Sequence, residues 1–367
     1  MDKDSDSILT PSELTFTITG FLIGPGVLVL PLSVVKAAQQ DGWICCILGS
    51  IYPLYMAFLA SYVHKKYPKD NILTLSKKFL GKFLGTVLNF LFLLFFLFIL
   101  TQVASAMSNV LLIYMTPFLN KYKIILIILL VPAFIAYKGI KTLGRVNVII
   151  FYIVILGVFI PIPALKQGSF FNIMPVFGSG FTGILKGSKE TILAFSGAEA
   201  LFLISPFFKG NKEFKKSSIK GIFITILIYT WFTFISIYYL GIDTLPKFLW
   251  PVVTVSESVI IPVINNFRYI FMSLWLLLML KTLSTYYYLF TFGLNKLSNN
   301  ISLNRKKLVI LLYPLFFYIS TKYGNPTMRR NLADMLIPIH VIFNTTYVSL
   351  ITFITIIKKG DVNVQKI

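Results

Sequence analysis

Ten long apolar stretches constrain this chain more than any other feature. About 20 apolar residues carry a helix across the hydrocarbon core of a bilayer. Such stretches lie near 14–35, 43–63, 84–115, 123–138, 146–165, 184–207, 218–241, 268–294, 306–321 and 335–357. With 56% of the 367 residues hydrophobic, no segment remains from which to build a soluble domain. The chain therefore reads as an all-α polytopic membrane protein, a single integral domain over 1–367 with ten transmembrane helices. Its first residues, Met1-Asp2-Lys3-Asp4, are acidic where a secretory signal begins with positive charge, so the first apolar stretch is expected to be retained.

Two of the ten stretches are interrupted at matched places. Gly24-Pro25-Gly26 breaks the first, and Ser196-Gly197-Ala198-Glu199 breaks the sixth. Proline removes an amide donor and glycine permits unwinding. Lipid cannot satisfy the backbone groups so freed, and such breaks survive where they line a protected cavity. Paired breaks five segments apart predict two inverted five-helix repeats, about 10–165 and about 183–357, with a small polar ligand bound between them at mid-membrane.

The net charge of +21 would suggest nucleic acid in a soluble protein, but here it follows membrane topology. With the N-terminus inside, 22 of the 34 lysines and arginines fall in the inner connections and termini and 11 in the outer connections. That bias predicts cytoplasmic N- and C-termini. Lys281 is the remaining one, within the eighth helix. Cys45 and Cys46 are adjacent and no Cys/His cluster has ligand spacing, so neither a disulfide framework nor a metal is expected. No P-loop, triad or paired catalytic carboxylates occur, so neither an enzyme nor a cofactor is expected.

Local signals fill in the rest. Thr10-Pro11-Ser12-Glu13 predicts a capping box with proline at the first helical position. The stretch from His64 to Gly85 sets Ile72, Leu73, Leu75, Phe79 and Leu80 at helical spacing among lysines, which predicts an amphipathic helix at the cytoplasmic leaflet. Thr244 to Asn266, with Pro246, Trp250-Pro251 and Pro262, is too interrupted to span and predicts a short helical lid over the outer mouth.

The candidate ligand residues cluster at the breaks. Ile23, Gly24, Pro25, Gly26 and Val27 surround the first, where the start of the outer half-helix would favour a ligand carboxylate. Ser196, Gly197, Ala198 and Glu199 form the second. Glu199 is expected at the site, where it would neutralise Lys281, bind a ligand amine or carry a proton, whereas Glu190 reads as a first-turn acid complementing its helix dipole. Lys281 sits about 13 residues, or roughly 20 Å, along the helix from Arg268. A charge at that depth costs at least about 2.5 kcal/mol and should face the bundle interior beside a partner. The carbonyls near Ile23 and Gly24 are the expected acceptors, with the ammonium standing where sodium-coupled relatives hold a cation, which predicts sodium-independent binding. Gln102 and Ser105, with Thr282, Ser284 and Thr285, supply further candidate hydrogen bonds, although such residues also stitch membrane helices together.

Several segments together resemble one family. Leu9-Thr10-Pro11-Ser12-Glu13-Leu14, Gly24-Pro25-Gly26-Val27-Leu28-Val29-Leu30-Pro31 and Gln40-Asp41-Gly42-Trp43 are similar to the opening of the B subunits of bacterial spore germinant receptors. Phe195 to Phe202, Leu249-Trp250-Pro251, Asn266-Phe267-Arg268 and Trp275 continue the likeness, which covers the whole chain. That family is a branch of the amino acid/polyamine/organocation transporter superfamily. The resemblance implies a nutrient-sensing subunit in the spore inner membrane, binding a germinant such as an amino acid. It also implies a complex with a larger membrane A subunit and a lipoprotein C subunit. A working amino acid permease is the alternative, and a ligand-free membrane scaffold is a third. Lys281 matches no motif of that family, so its expected role rests on its depth alone.

Overall fold

Proline at the first helical position and a threonine before it set the start of the bundle, as a computed structural model describing residues 8–257, 267–298 and 304–358 shows. Helix α1 (Pro11–Leu22) begins with Thr10 accepting from the Glu13 amide at 3.3 Å, while the Glu13 carboxylate accepts from the Thr10 amide at 2.7 Å. Glu13 also pairs with Lys141 at 2.7 Å, tying this end of α1 to the helix that carries the lysine. The acidic residues 1–7, and Pro262 and Asn266 of the expected lid, lie outside the described residues.

The chain is helical throughout, with no strand among the described residues. After α1 come α2 (Gly26–Ala38), α3 (Gly42–Gly49), α4 (Ile51–Lys66), α5 (Ile72–Leu80) and α6 (Lys82–Tyr114). Next are α7 (Lys121–Lys138), α8 (Ile140–Phe159), α9 (Gly180–Ala194), α10 (Leu201–Ile204) and α11 (Asn211–Thr244). The last are α12 (Pro251–Glu257), α13 (Arg268–Leu297), α14 (Arg305–Thr321) and α15 (Pro326–Ile357). Among the described residues six stretches are long and apolar enough to cross a membrane, and seven if the segments Gly180–Ala194 and Ala198–Phe207, bent by 44°, count as one. The fourth and ninth expected spans appear as α7 and α14, of 18 and 17 residues.

Helix α13 is the hub, its buried polar side chains finding partners inside the bundle. From Lys281 to Gly293 every residue is buried, against α6, α7, α8 and α1. On the periphery, Ile149, Tyr152, Leu156 and Phe159 of α8 are exposed, a face suited to lipid. The aromatic run of α6 serves both ends: Phe92, Phe95 and Phe96 are fully buried, and Phe90 is exposed.

The amphipathic segment forms α5, but its apolar face turns into the protein. Ile72, Leu73 and Leu75 are buried, and Asn89 of α6 donates to the Leu73 carbonyl while accepting from Ser76 and from Tyr347 of α15. The apolar spacing that signals a membrane-surface helix is here spent on packing within the bundle.

Asp41, in the Gln40-Asp41-Gly42-Trp43 stretch, is a second fixed point. Its carboxylate is fully buried and accepts from the amides of Phe177 and Ser179 at 2.7 and 2.9 Å and from the Ser179 hydroxyl at 2.7 Å, while Gln40 donates to Pro175. These bonds hold the loop that leads into α9, and so the approach to the second break. Asp41→Ala is expected to leave two amides unsatisfied and to cost about 3 kcal/mol. Thermal unfolding of the detergent-solubilised chain checks this, and an unshifted midpoint counts against the clamp.

Candidate functional site

The first break frees carbonyls at the end of α1, and side-chain hydroxyls take three in succession. Tyr286 donates to Phe21 O at 2.7 Å, Tyr229 to Leu22 O at 2.8 Å and Thr282 to Ile23 O at 2.6 Å. Thr282 and Tyr286 come from α13 and Tyr229 from α11, so two neighbouring helices supply what lipid could not. Beyond the break the amides of Val27 and Leu28 donate to Gly24 O and Pro25 O at 3.2 Å each. Those two amides are therefore engaged, and the Gly26 amide is the first of α2, with no acceptor in its own helix.

The second break turns on Gly197, at φ 112° and ψ −14°. Its amide donates to Glu199 Oε2 at 2.7 Å, and Asn344 of α15 donates to Glu199 Oε1 at 3.1 Å. The Tyr52 hydroxyl lies beside the same carboxylate without a well-formed hydrogen bond to it. Glu199 thus pins the bend of the sixth stretch to α15. A Cβ on Gly197 would stand 2.7 Å from Phe21 O, so the two breaks touch backbone to backbone.

Two adjoining cavities, with lining residues in common, lie where the breaks meet. A chamber of about 110 Å³ is lined by Gly24, Pro25, Gly26, Ser196, Gln102 and Thr282 among others. A vestibule of about 140 Å³ shares Pro25, Gly26 and Gln102 with it and adds Glu190, Trp250, Arg329, Arg330 and Asp334. Each has room for several waters at about 30 Å³ apiece. Trp250, just before α12, reaches the vestibule wall and stands edge-on to Tyr114, which places the described part of the expected lid at the opening.

The predicted residues divide accordingly. Gly24, Pro25, Gly26, Gln102 and Ser196 line the chamber. Ile23 and Val27 face an apolar crevice with Phe151 and Trp275 instead, because the extended backbone at Ile23 (φ −92°, ψ 101°) turns their side chains from the chamber. Gly197, Ala198 and Glu199 form the bend and line neither cavity. Ser105 is buried on α6, and its hydroxyl makes no hydrogen bond. Ser284 donates to Leu280 O and Thr285 to Lys281 O, each within α13.

Lys281 is fully buried, as its depth required, but its partners differ from those expected. Its ammonium donates to the Thr19 hydroxyl and lies 5.3 Å over the Phe151 ring, below the break. The Ile23 carbonyl is already held by Thr282, and no carboxylate lies within ion-pair distance of Lys281 among the described residues. Asn147 of α8 extends the cluster, donating to the Thr17 and Thr285 hydroxyls at 3.1 and 3.4 Å.

Reading the residues missed Tyr229 and Tyr286, which hold the break, and Asn344, which holds Glu199. Arg329 belongs to the tenth expected stretch and not to the loop before it, because that helix begins at Pro326 rather than near 335. Asn325 caps α15 by accepting from the Met328 amide at 2.8 Å and Pro326 opens it, so Arg329 lies in its first turn. Asn-Pro at that point was the available signal.

Comparison with known proteins sets the chain beside spore germination proteins. The sequence profile of a family described as spore germination protein matches residues 8–329. Among curated proteins the chain is 25% identical over 295 residues to the spore germination protein YndE of Bacillus subtilis (strain 168), covering 79% of this chain and 81% of that one. It is 24% identical over 330 residues to the spore germination protein GerQB of Bacillus cereus, covering 89% of each. It is 26% identical over 262 residues to the spore germination protein B2 of Bacillus subtilis (strain 168), covering 71% of each.

Proposed function

Because this chain belongs to the spore germination protein family, we propose that it is the nutrient-sensing subunit of a germinant receptor. A small polar ligand, an amino acid or a near analogue, enters through the vestibule and settles where it adjoins the chamber, at Pro25, Gly26 and Gln102 between the two breaks. Partner subunits, a membrane A subunit and a lipoprotein C subunit, then read the resulting change. The chain sits in the spore inner membrane with both termini on the core side. Its ten crossings count α1 with α2, α3 with α4 and α9 with α10 as one span each, and include α7 and α14.

The observation that carries this reading is the chamber itself. The carbonyls of the first break are held by Tyr286, Tyr229 and Thr282, so the cavity persists without a ligand to satisfy them. A ligand shifts such a bundle only through preference for one arrangement, and a change from 1:99 to 99:1 takes about 5.5 kcal/mol of preference. Between a receptor and a permease the geometry is neutral, since both need the same site. Lys281 stands on Thr19 below the break and not at the Ile23 carbonyl, so sodium-independent binding does not follow from its position.

Spores lacking the chain and spores carrying it, scored for germination across an amino acid panel, test the sensing role, together with labelled-solute uptake by the purified protein in liposomes. Lost germination without uptake is the expected result; robust uptake with normal germination makes the chain a permease. Gly26→Val adds a test of the site. A Cβ there meets nothing within 4 Å, so the fold should stand while the branched side chain occupies the chamber. The nutrient response should fall at least tenfold at unchanged protein level, and an unaltered response places the ligand elsewhere.

A further inference from the structure

Resting on that reading of the two cavities, we infer that the vestibule selects zwitterions, with Arg329 taking the ligand's carboxylate and Glu190 its ammonium. No charged side chain lines the chamber among the described residues, so a ligand's charges are met in the vestibule. Four charged side chains line the vestibule, two of each sign: Glu190, Asp334, Arg329 and Arg330. A balanced set suits a ligand that carries both charges rather than a net anion or cation.

The four are not equivalent. Arg330 is already occupied, with Nε 3.8 Å from Asp334 Oδ2 and a terminal nitrogen donating to Ser33 Oγ at 3.1 Å. That accounts for one charge of each sign and leaves Arg329 and Glu190. Arg329 is 8% exposed, its Nε has no hydrogen-bond partner, and it makes no ion pair among the described residues. A buried guanidinium without an anion is costly, and its fork matches a carboxylate. Glu190, on α9, likewise makes no ion pair among the described residues. One more lining group suits the carboxylate: the Gly26 amide at the start of the 13-residue α2.

The alternative for Arg329 is a structural partner, and its charged and titratable surroundings speak against one. They are Lys121, Tyr323, Arg330 and Asp334, and the acid among them is already shared with Arg330. The lone arginine therefore awaits an anion from the cavity side.

The test uses the purified full-length chain in detergent, with thermal stabilisation and equilibrium binding as readouts. The probes are glycine, L-alanine, L-serine and L-valine, each beside its carboxamide, which lacks the carboxylate, and its N-acetyl derivative, which lacks the ammonium. At least one free amino acid should bind, and its carboxamide and N-acetyl forms should bind at least tenfold more weakly to the unaltered protein. Arg329→Gln should erase the preference for acid over carboxamide, Arg329→Lys should keep part of it, and Glu190→Gln should erase the preference over the N-acetyl form. Equal binding of acid and carboxamide by the unaltered protein overturns the assignment of Arg329 and leaves the chamber reading standing if Gly26→Val still abolishes that binding. Binding of none of the twelve compounds overturns the zwitterion inference and the amino acid reading together.

Discussion

Gly197→Ala is expected to destabilise the bundle by about 4 kcal/mol, combining backbone strain with overpacking. At φ 112° an L side chain is strained, and the added Cβ would stand 2.7 Å from Phe21 O. It would also strike the Tyr286 hydroxyl, which is bonded to that same carbonyl. One methyl group therefore pushes the two breaks apart and strips Phe21 O of its donor. Gly24→Ala is the matched control: nothing lies within 4 Å of its Cβ and its φ is outside the left-handed region, so stability should change by less than about 1 kcal/mol. Thermal unfolding of both variants in one detergent decides the matter. Equal midpoints would mean that the breaks do not depend on their contact.

The contrast between these glycines also marks what the amino-acid sequence disclosed. Both breaks were legible because glycine and proline announce them locally, through a missing donor and a permitted backbone conformation. The capping box at Thr10 and the burial of Lys281 were legible for similar reasons, one from a spacing of three residues and the other from helical rise. What holds the breaks was not legible. Tyr286 lies in a run buried on all sides, where no apolar period marks a face, so its bond to Phe21 O could not be foreseen. Ile23 and Val27 were expected at the ligand, yet the extended residue at the break turns them into the apolar crevice. Arg329 was hidden by a helix start placed nine residues late, although Asn325-Pro326 marked it. Six clearly spanning stretches among the described residues against ten expected ones have the same physical origin: α1 is parted from α2 by the first break, α9 and α10 are bent apart at the second, and α7 and α14 are only 18 and 17 residues long.

Glu199 gives the second large effect, and the outcome separates its shape from its charge. In Glu199→Leu the Gly197 amide and the Asn344 side-chain amide both lose their acceptor in a site that water does not reach. Two buried donors left unsatisfied cost about 2–6 kcal/mol. Glu199→Gln keeps an oxygen for the Gly197 amide, and its new amino group meets Asn344. The Asn344 Oδ1 has no partner, so turning that amide over lets it accept from the glutamine. Stability of the Gln variant should therefore fall by less than about 1 kcal/mol, and with the bend intact and both cavities unlined by Glu199, the nutrient response should survive. If the Gln variant unfolds as readily as the Leu variant, the negative charge itself stabilises the bend. If it folds normally and its spores no longer respond, the carboxylate acts in the response by exchanging a proton, and the role as a hydrogen-bonded pin between the sixth stretch and α15 is incomplete.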